Sequence, residues 1–266
     1  MTITPTRPWT PPSLRRDPAK ALWAVAGACW ATTFALTLTG GAEAAHHDHV
    51  LEHDHLPWAL RIAEFLAIWA VMLGAMMLPT LVPLARLFGP VSDRARRPRT
   101  VRGALYGGYL LVWTAFAPVA LGFDAGLHLL VHSWPWLEAH EGVILGGALL
   151  LAGAFQFSPL KNACLTACRN PASFLWQHYR RGVGGAALMG ARHGLSCVGC
   201  CWALMLVMFA TGVGSLAWML GLTAVMVVEK TTRWGARLVV PIGIALLVAG
   251  LVLSAVGMLS GSGGAA

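Results

Sequence analysis

The chain has 266 residues, 57% of them hydrophobic and only 11% charged, with a formal net charge of +8 and a mean hydropathy of +0.65. That balance excludes a soluble domain, and one membrane domain uses up nearly the whole length. The six cysteines are not a secreted disulfide framework, because all but Cys29 lie in or beside the last apolar segments. The positive charge falls in alternate loops, which speaks for a membrane protein and against a nucleic-acid surface.

The fold class this predicts is all-α: a polytopic membrane helical bundle of about seven transmembrane helices with a cytoplasmic N-terminus. Residues 1–20 are proline-rich, carry Arg7, Arg15, Arg16 and Lys20, and read as a disordered cytoplasmic tail. The membrane domain then occupies residues 21–259 and a small-residue tail 260–266. The first span runs from Ala21 to Leu38. Ala42-Glu43-Ala44 resembles a signal cleavage site, but the apolar run exceeds a signal core and reads as a retained helix.

An external loop at 42–58 follows, holding His46, His47, His49, His53 and His55 among four carboxylates and no lysine or arginine. Such a tract captures divalent metal loosely, or is simply a solvated acidic loop. The second span, from about Leu60 to Leu84, contains Met72-Leu73-Gly74-Ala75-Met76-Met77-Leu78-Pro79. Met72 and Met76 share a face one turn apart, and Pro79 frees a backbone carbonyl nearby. Alone this is a packing stripe; facing other soft donors it would complete a Cu(I) path.

Six arginines from Arg86 to Arg102 mark the next loop as cytoplasmic. A third span runs from Ala104 to Phe123, with Pro118 as a kink. Beyond it Asp124, His128 and His132, spaced by four, would line a short interfacial helix and could hold a metal; an amphipathic helix at the headgroups shows the same spacing. The fourth span, Val143 to Phe157, leads to Pro159-Leu160-Lys161-Asn162-Ala163-Cys164-Leu165-Thr166-Ala167-Cys168-Arg169-Asn170-Pro171. Cys164 and Cys168 are one turn apart on a helix that Pro171 terminates, with cations beside them that favour thiolate.

The most informative stretch is His193-Gly194-Leu195-Ser196-Cys197-Val198-Gly199-Cys200-Cys201-Trp202, inside an apolar segment from Gly184 to Ala210 whose one charge is Arg192. At about 100° per residue, Cys197 and Cys200 fall about 40° and 20° to either side of His193, so an imidazole and two thiols share a narrow face. Cys201 lies further round, and Met189 and Met205 extend the ridge. Imidazole, thiolate and thioether suit Cu(I) or Zn(II). Gly190, Gly194 and Gly199 leave room for another backbone, and Arg192 must face protein or trapped water. A sixth span from Leu216 to Val228 ends in Glu229-Lys230, and a seventh covers Leu238 to Leu259. Counting about 1.5 Å per residue from Arg181 puts His193 about 18 Å and Cys200 about 28 Å into the membrane, with Cys164 and Cys168 at its inner end.

Four motifs in order, the Met72 to Pro79 run, the Pro159 to Pro171 run, the His193 to Met205 run and Glu229-Lys230, closely resemble a bacterial family of predicted metal-binding integral membrane proteins, catalogued as a domain of unknown function. The resemblance covers roughly Ala21 to Pro241. It implies a multi-helix inner-membrane protein with a metal site, and matches Met76, Met77, Lys161, Cys164, Cys168, His193, Cys197, Cys200, Cys201, Met205, Glu229 and Lys230 to the motif positions. The histidine loop is outside the pattern.

The function expected is a multi-pass protein of the cell inner membrane that binds a transition metal, Cu(I) before Zn(II), for transport or delivery. Its ligands would be His193, Cys197, Cys200, Cys201, Met72, Met76, Met77, Met205, Cys164 and Cys168, with the external histidines, Asp124, His128 and His132 as capture groups. Partners would be the lipid bilayer and a metallochaperone or a metalloenzyme that receives the ion. Nothing resembles a phosphate-binding loop, and the chain reads as a binding protein before an enzyme. The competing activity is a membrane thiol-disulfide oxidoreductase relay between Cys197, Cys200 or Cys201 and Cys164 or Cys168; a third reading is a structural partner of an oxidase complex.

Overall fold

The structure, a computed structural model, describes residues 17–39, 57–138, 140–211, 215–232 and 234–262. The histidines from His46 to His55 lie outside them. Among the described residues there are eleven α-helices and no strand: α1 (Lys20–Leu38), α2 (Trp58–Met76), α3 (Leu78–Ser92), α4 (Pro98–Ser133), α5 (Pro135–Glu138), α6 (Glu141–Gln156), α7 (Pro159–Arg169), α8 (Pro171–His178), α9 (Gly182–Thr211), α10 (Leu216–Thr231) and α11 (Gly235–Ser262). Five helices, α1, α2, α4, α9 and α11, are long and apolar enough to cross a membrane, and α6 with α7 makes a sixth if their 69° bend interrupts one span. The expected count of seven is not reached on length, because α10 has 16 residues, about 24 Å against a hydrocarbon core of about 30 Å.

Prolines set most of the breaks. The span expected over Leu60 to Leu84 divides at Met77, with Pro79 in the first turn of α3, where a missing N–H costs nothing. Pro79 also leaves the Ala75 carbonyl without its helical donor, and Trp30 Nε1 donates to that oxygen at 3.0 Å. The carbonyl that the sequence frees is therefore what pins α1 to α2. Pro159 and Pro171 likewise open α7 and α8, and Ser158 caps α7 by accepting from the Lys161 N–H at 3.0 Å. Pro118 has the opposite outcome: α4 runs on through it for 36 residues. Asp124, His128 and His132, expected on a separate interfacial helix, are instead on the last turns of α4.

Small residues let the helices approach. The α6–α11 pair runs antiparallel, with Gly142 against Gly257, Gly146 against Gly250 and Ser254, and Gly153 against Gly243 and Leu247. The seven-residue spacing of Gly243, Gly250 and Gly257 keeps this seam on one side of α11, whose remaining apolar surface faces outward. α9 is the central helix: 61% of its most apolar window is buried, against 11% for α11. Gly190 sits under the Leu105 carbonyl of α4 and Gly194 faces Tyr109 and Val112, the close approach that these glycines forecast.

At the surface, Asp17 pairs with Arg86 at 2.9 Å, tying the start of α1 to α3; the Arg86 hydrogen bond holds the Asp17 carboxyl below its ordinary range. Arg102 pairs with Asp93 across the α3–α4 turn.

A methyl group at Gly190 has to displace α4 backbone at Leu105, whereas Gly107, two residues further along α4, has nothing within 4 Å of an added Cβ. Gly190→Ala should therefore destabilise by about 1–3 kcal/mol, and Gly107→Ala should stabilise by up to about 1 kcal/mol. Thermal unfolding of the detergent-solubilised variants measures both.

Candidate functional site

The thiols come together from two elements. Cys197, Cys200 and Cys201 are buried on α9, Cys168 is buried on α7, and Cys164 is half-buried. Gly199 makes the approach of α7 possible, since an added Cβ there would lie 2.6 Å from the Cys164 sulfur. With that clearance, Cys168 Sγ reaches within 4.0 Å of Cys200 Sγ. The expectation that Cys164 and Cys168 occupy a separate, inner depth is thus corrected. α7 does not hang below the bundle as a surface helix; the 69° bend after α6 lays it against α9, and Cys168 lies level with Cys200.

A second contact system surrounds Cys197. Its sulfur lies 3.1 Å from the Tyr109 hydroxyl of α4 and 3.9 Å from the Thr80 hydroxyl of α3, and Lys230 Nζ donates to it at 3.0 Å. The same ammonium is 3.5 Å from Cys201 Sγ. Cys200 and Cys201 both direct their thiols at the Cys197 carbonyl, at 3.1 and 2.9 Å. The Tyr109 hydroxyl also reaches the Met77 carbonyl at 3.3 Å, so the α2–α3 break contributes a backbone oxygen one hydrogen bond away from the sulfurs. A buried ammonium is costly without a counter-charge, and sulfurs are what this one faces.

Lys161, Glu229 and Lys230 are all but completely buried, at 1%, 1% and 5% exposure. Lys161 and Lys230, which the charge pattern counts among the loop cations, are therefore interior side chains and not solvated ones. Lys161 Nζ pairs with Glu229 Oε2 at 2.7 Å, and Gln156 Nε2 donates to Glu229 Oε1 at 3.0 Å. Charge counting sees only a basic residue near a helix end. That these two point inward shows only in the tertiary contacts, with Glu229 for Lys161 and with the α9 sulfurs for Lys230.

His193 is 2% exposed, and its ring packs edge-on to Phe174 at 5.1 Å and tilted to Tyr109 at 5.9 Å. Its Nδ1 is buried with no hydrogen-bond partner among the protein groups, an uncommon state for a buried nitrogen. Met72, Met76, Met77 and Met205 are buried in the same core. Asp124 lies 15 positions past Tyr109 on α4, about 22 Å along the axis, so Asp124, His128 and His132 stand well apart from the thiols. Among the described residues no three His, Cys, Asp or Glu side chains are arranged to hold one ion; the thiols meet as pairs. Tyr109 and Thr80 are the contributors that sequence reasoning missed, since neither stands in a motif of soft donors.

Removing one partner of the buried ion pair strands the other. Glu229→Gln should cost about 3–5 kcal/mol, and Lys161→Met with Glu229→Leu in one chain should recover most of it, read as the shift in unfolding midpoint across the double-mutant cycle.

A family model described as PpoB2, copper chaperone, matches residues 66–253, the stretch from α2 into α11 that holds every element of this site. The match is to a metal-related family, as the four motifs implied. No curated protein and no solved structure matches the chain.

Proposed function

The chain belongs to the PpoB2 copper chaperone family, and from that membership together with the thiol geometry we propose that it is a multi-pass membrane protein that carries Cu(I) as cargo between Cys168 and Cys200. The observation that carries this reading is the 4.0 Å separation of their sulfurs across two helices. Metal–sulfur bonds of about 2.3 Å place two thiolates sharing an ion about 3.8 Å apart in tetrahedral geometry and about 4.6 Å apart in linear geometry. The apposed pair needs little movement to close on an ion.

The donor count supports copper over zinc. Structural Zn(II) takes four ligands in a closed tetrahedron, whereas Cu(I) is stable with two or three sulfurs, and thiolates select it. Cys197, Cys201, His193 and the buried methionines are the further donors available to a moving ion, and Lys230 offsets the negative charge that two thiolates and one monovalent cation leave. The inner membrane is the location that the apolar spans and the basic loops favour, and the ion's destination is a copper-handling partner, a chaperone or a metalloenzyme.

A thiol-disulfide relay is the second reading, and the same approach of Cys168 to Cys200 favours it. These two sit on different helices, so they avoid the unwinding that a disulfide between Cys197 and Cys200 of one helix requires.

Competition with a chromophoric Cu(I) chelator should show one copper per chain, and X-ray absorption should show it bound to sulfur at low coordination number. Cys168→Ser or Cys200→Ser should each weaken binding by at least about 100-fold, since loss of an outer partner alone costs about 10- to 100-fold. Undiminished binding in both variants would end this reading. Redox-dependent pairing of Cys168 with Cys200, with no copper bound, would establish the relay.

A further inference from the structure

Of the five thiols near α9, four are buried and Cys164 alone is half-buried. It lies beside a cleft of about 670 Å³ between α7, α8 and the lower half of α9. Ala163 and Ala167, on either side of Cys164 in the chain, line that cleft, and so does Ser196, three residues before the Gly199 on which the Cys164 sulfur rests. The volume is that of a small-molecule site.

The polar groups of the cleft include a cation and no anion. Arg192, Asn170, Gln177 and His178 line it with the hydroxyls of Thr166, Ser173 and Ser196, and no carboxylate does. Arg192 is the residue that the apolar α9 sequence left without a purpose. Its guanidinium has no ion-pair partner among the described residues, although placing it on this helix is expensive unless it has something to bind. A guanidinium with amides around it recognises a carboxylate, and does so in a fixed orientation. The floor is Phe174, whose ring stacks on His178 at 4.5 Å and meets the His193 ring at 5.1 Å. The cleft is therefore one aromatic ring away from the buried imidazole and one helical turn from the thiol pair.

We infer that this cleft receives Cu(I) as its complex with a small, carboxylate-bearing thiol, and that Cys164 is the group that takes the ion from it. The inference rests on the copper reading above and adds the donor and the first acceptor to it. The donor's carboxylate docks on Arg192. The Cys164 sulfur then forms a bond to the ion as the donor's sulfur–copper bond breaks, and the Cys164 proton passes to the released donor thiolate. Copper remains Cu(I) throughout, so no oxidant or reductant is required. A second exchange of the same kind, one turn along α7, moves the ion to Cys168 and Cys200. Cys164 is then a kinetic stepping stone and contributes nothing to the final load.

The test compares two copper sources on the full-length protein in detergent: the Cu(I)–glutathione complex, which has carboxylates and a thiol, and Cu(I) as its acetonitrile complex, which has neither. Stopped-flow measurements give the uptake rate, and the final copper-to-protein ratio is measured separately. Arg192→Gln should raise the half-saturating concentration of the glutathione complex about tenfold, in line with the loss of one charge-assisted contact, and leave uptake from the acetonitrile complex unchanged. Cys164→Ser should slow uptake from both sources and leave the final ratio at the wild-type value. If Arg192→Gln affects the two sources equally, or Cys164→Ser fills at the wild-type rate, the inference falls while the copper reading stands. If the wild-type chain takes copper from neither source, the copper reading itself has failed.

Discussion

The buried pair of Lys161 and Glu229 is the constraint on which the site depends. At 2.7 Å and almost wholly shielded, it ties the start of α7 to the end of α10, with Gln156 of α6 as a third participant. Glu229 and Lys230 are consecutive on a helix, so their side chains leave it about 100° apart. One turns toward α7 and fixes it; the other turns toward α9 and ends between Cys197 and Cys201. A single dipeptide thus positions the helix that brings Cys168 and delivers the cation that the sulfurs of α9 face. Desolvating two charges gains little stability over an apolar pair of the same shape, so what the pair supplies is placement.

The all-helical fold was legible in the apolar runs, and the close packing of α9 was legible in Gly190, Gly194 and Gly199, because a helix lacking side chains along one stripe has few uses other than contact. The carbonyl that Pro79 frees could likewise be read directly, whereas the division of the helix at Met77 was not. What could not be read was the direction of α7. A proline and an N-cap serine show where a helix begins, but the 69° turn is set by tertiary contacts, and the relative depth of Cys164, Cys168 and Cys200 followed from it. The far end of α4 shows the same limit from the other side: the helix continues past Phe123 to Ser133, where a separate interfacial helix was expected.

Among the donors, periodicity placed His193, Cys197 and Cys200 on one side of α9, and all three are buried there. Spacing within one helix could not find the pair across two, Cys168 with Cys200, nor the oxygen donors of Tyr109 and Thr80, which are ordinary residues until a sulfur is set against them. Charge was the least reliable guide. Lys161 and Lys230 count as loop cations in a topology argument and as interior groups in the folded chain, Lys161 against Glu229 and Lys230 against the sulfurs of Cys197 and Cys201.

The glycine seam between α6 and α11 joins Gly142 to Gly257 and Gly146 to Gly250, positions more than a hundred residues apart. During synthesis α6 is made long before the surface it packs against. Long-range contacts of this kind are the late ones to form, so this seam closes only once both of its helices have been made.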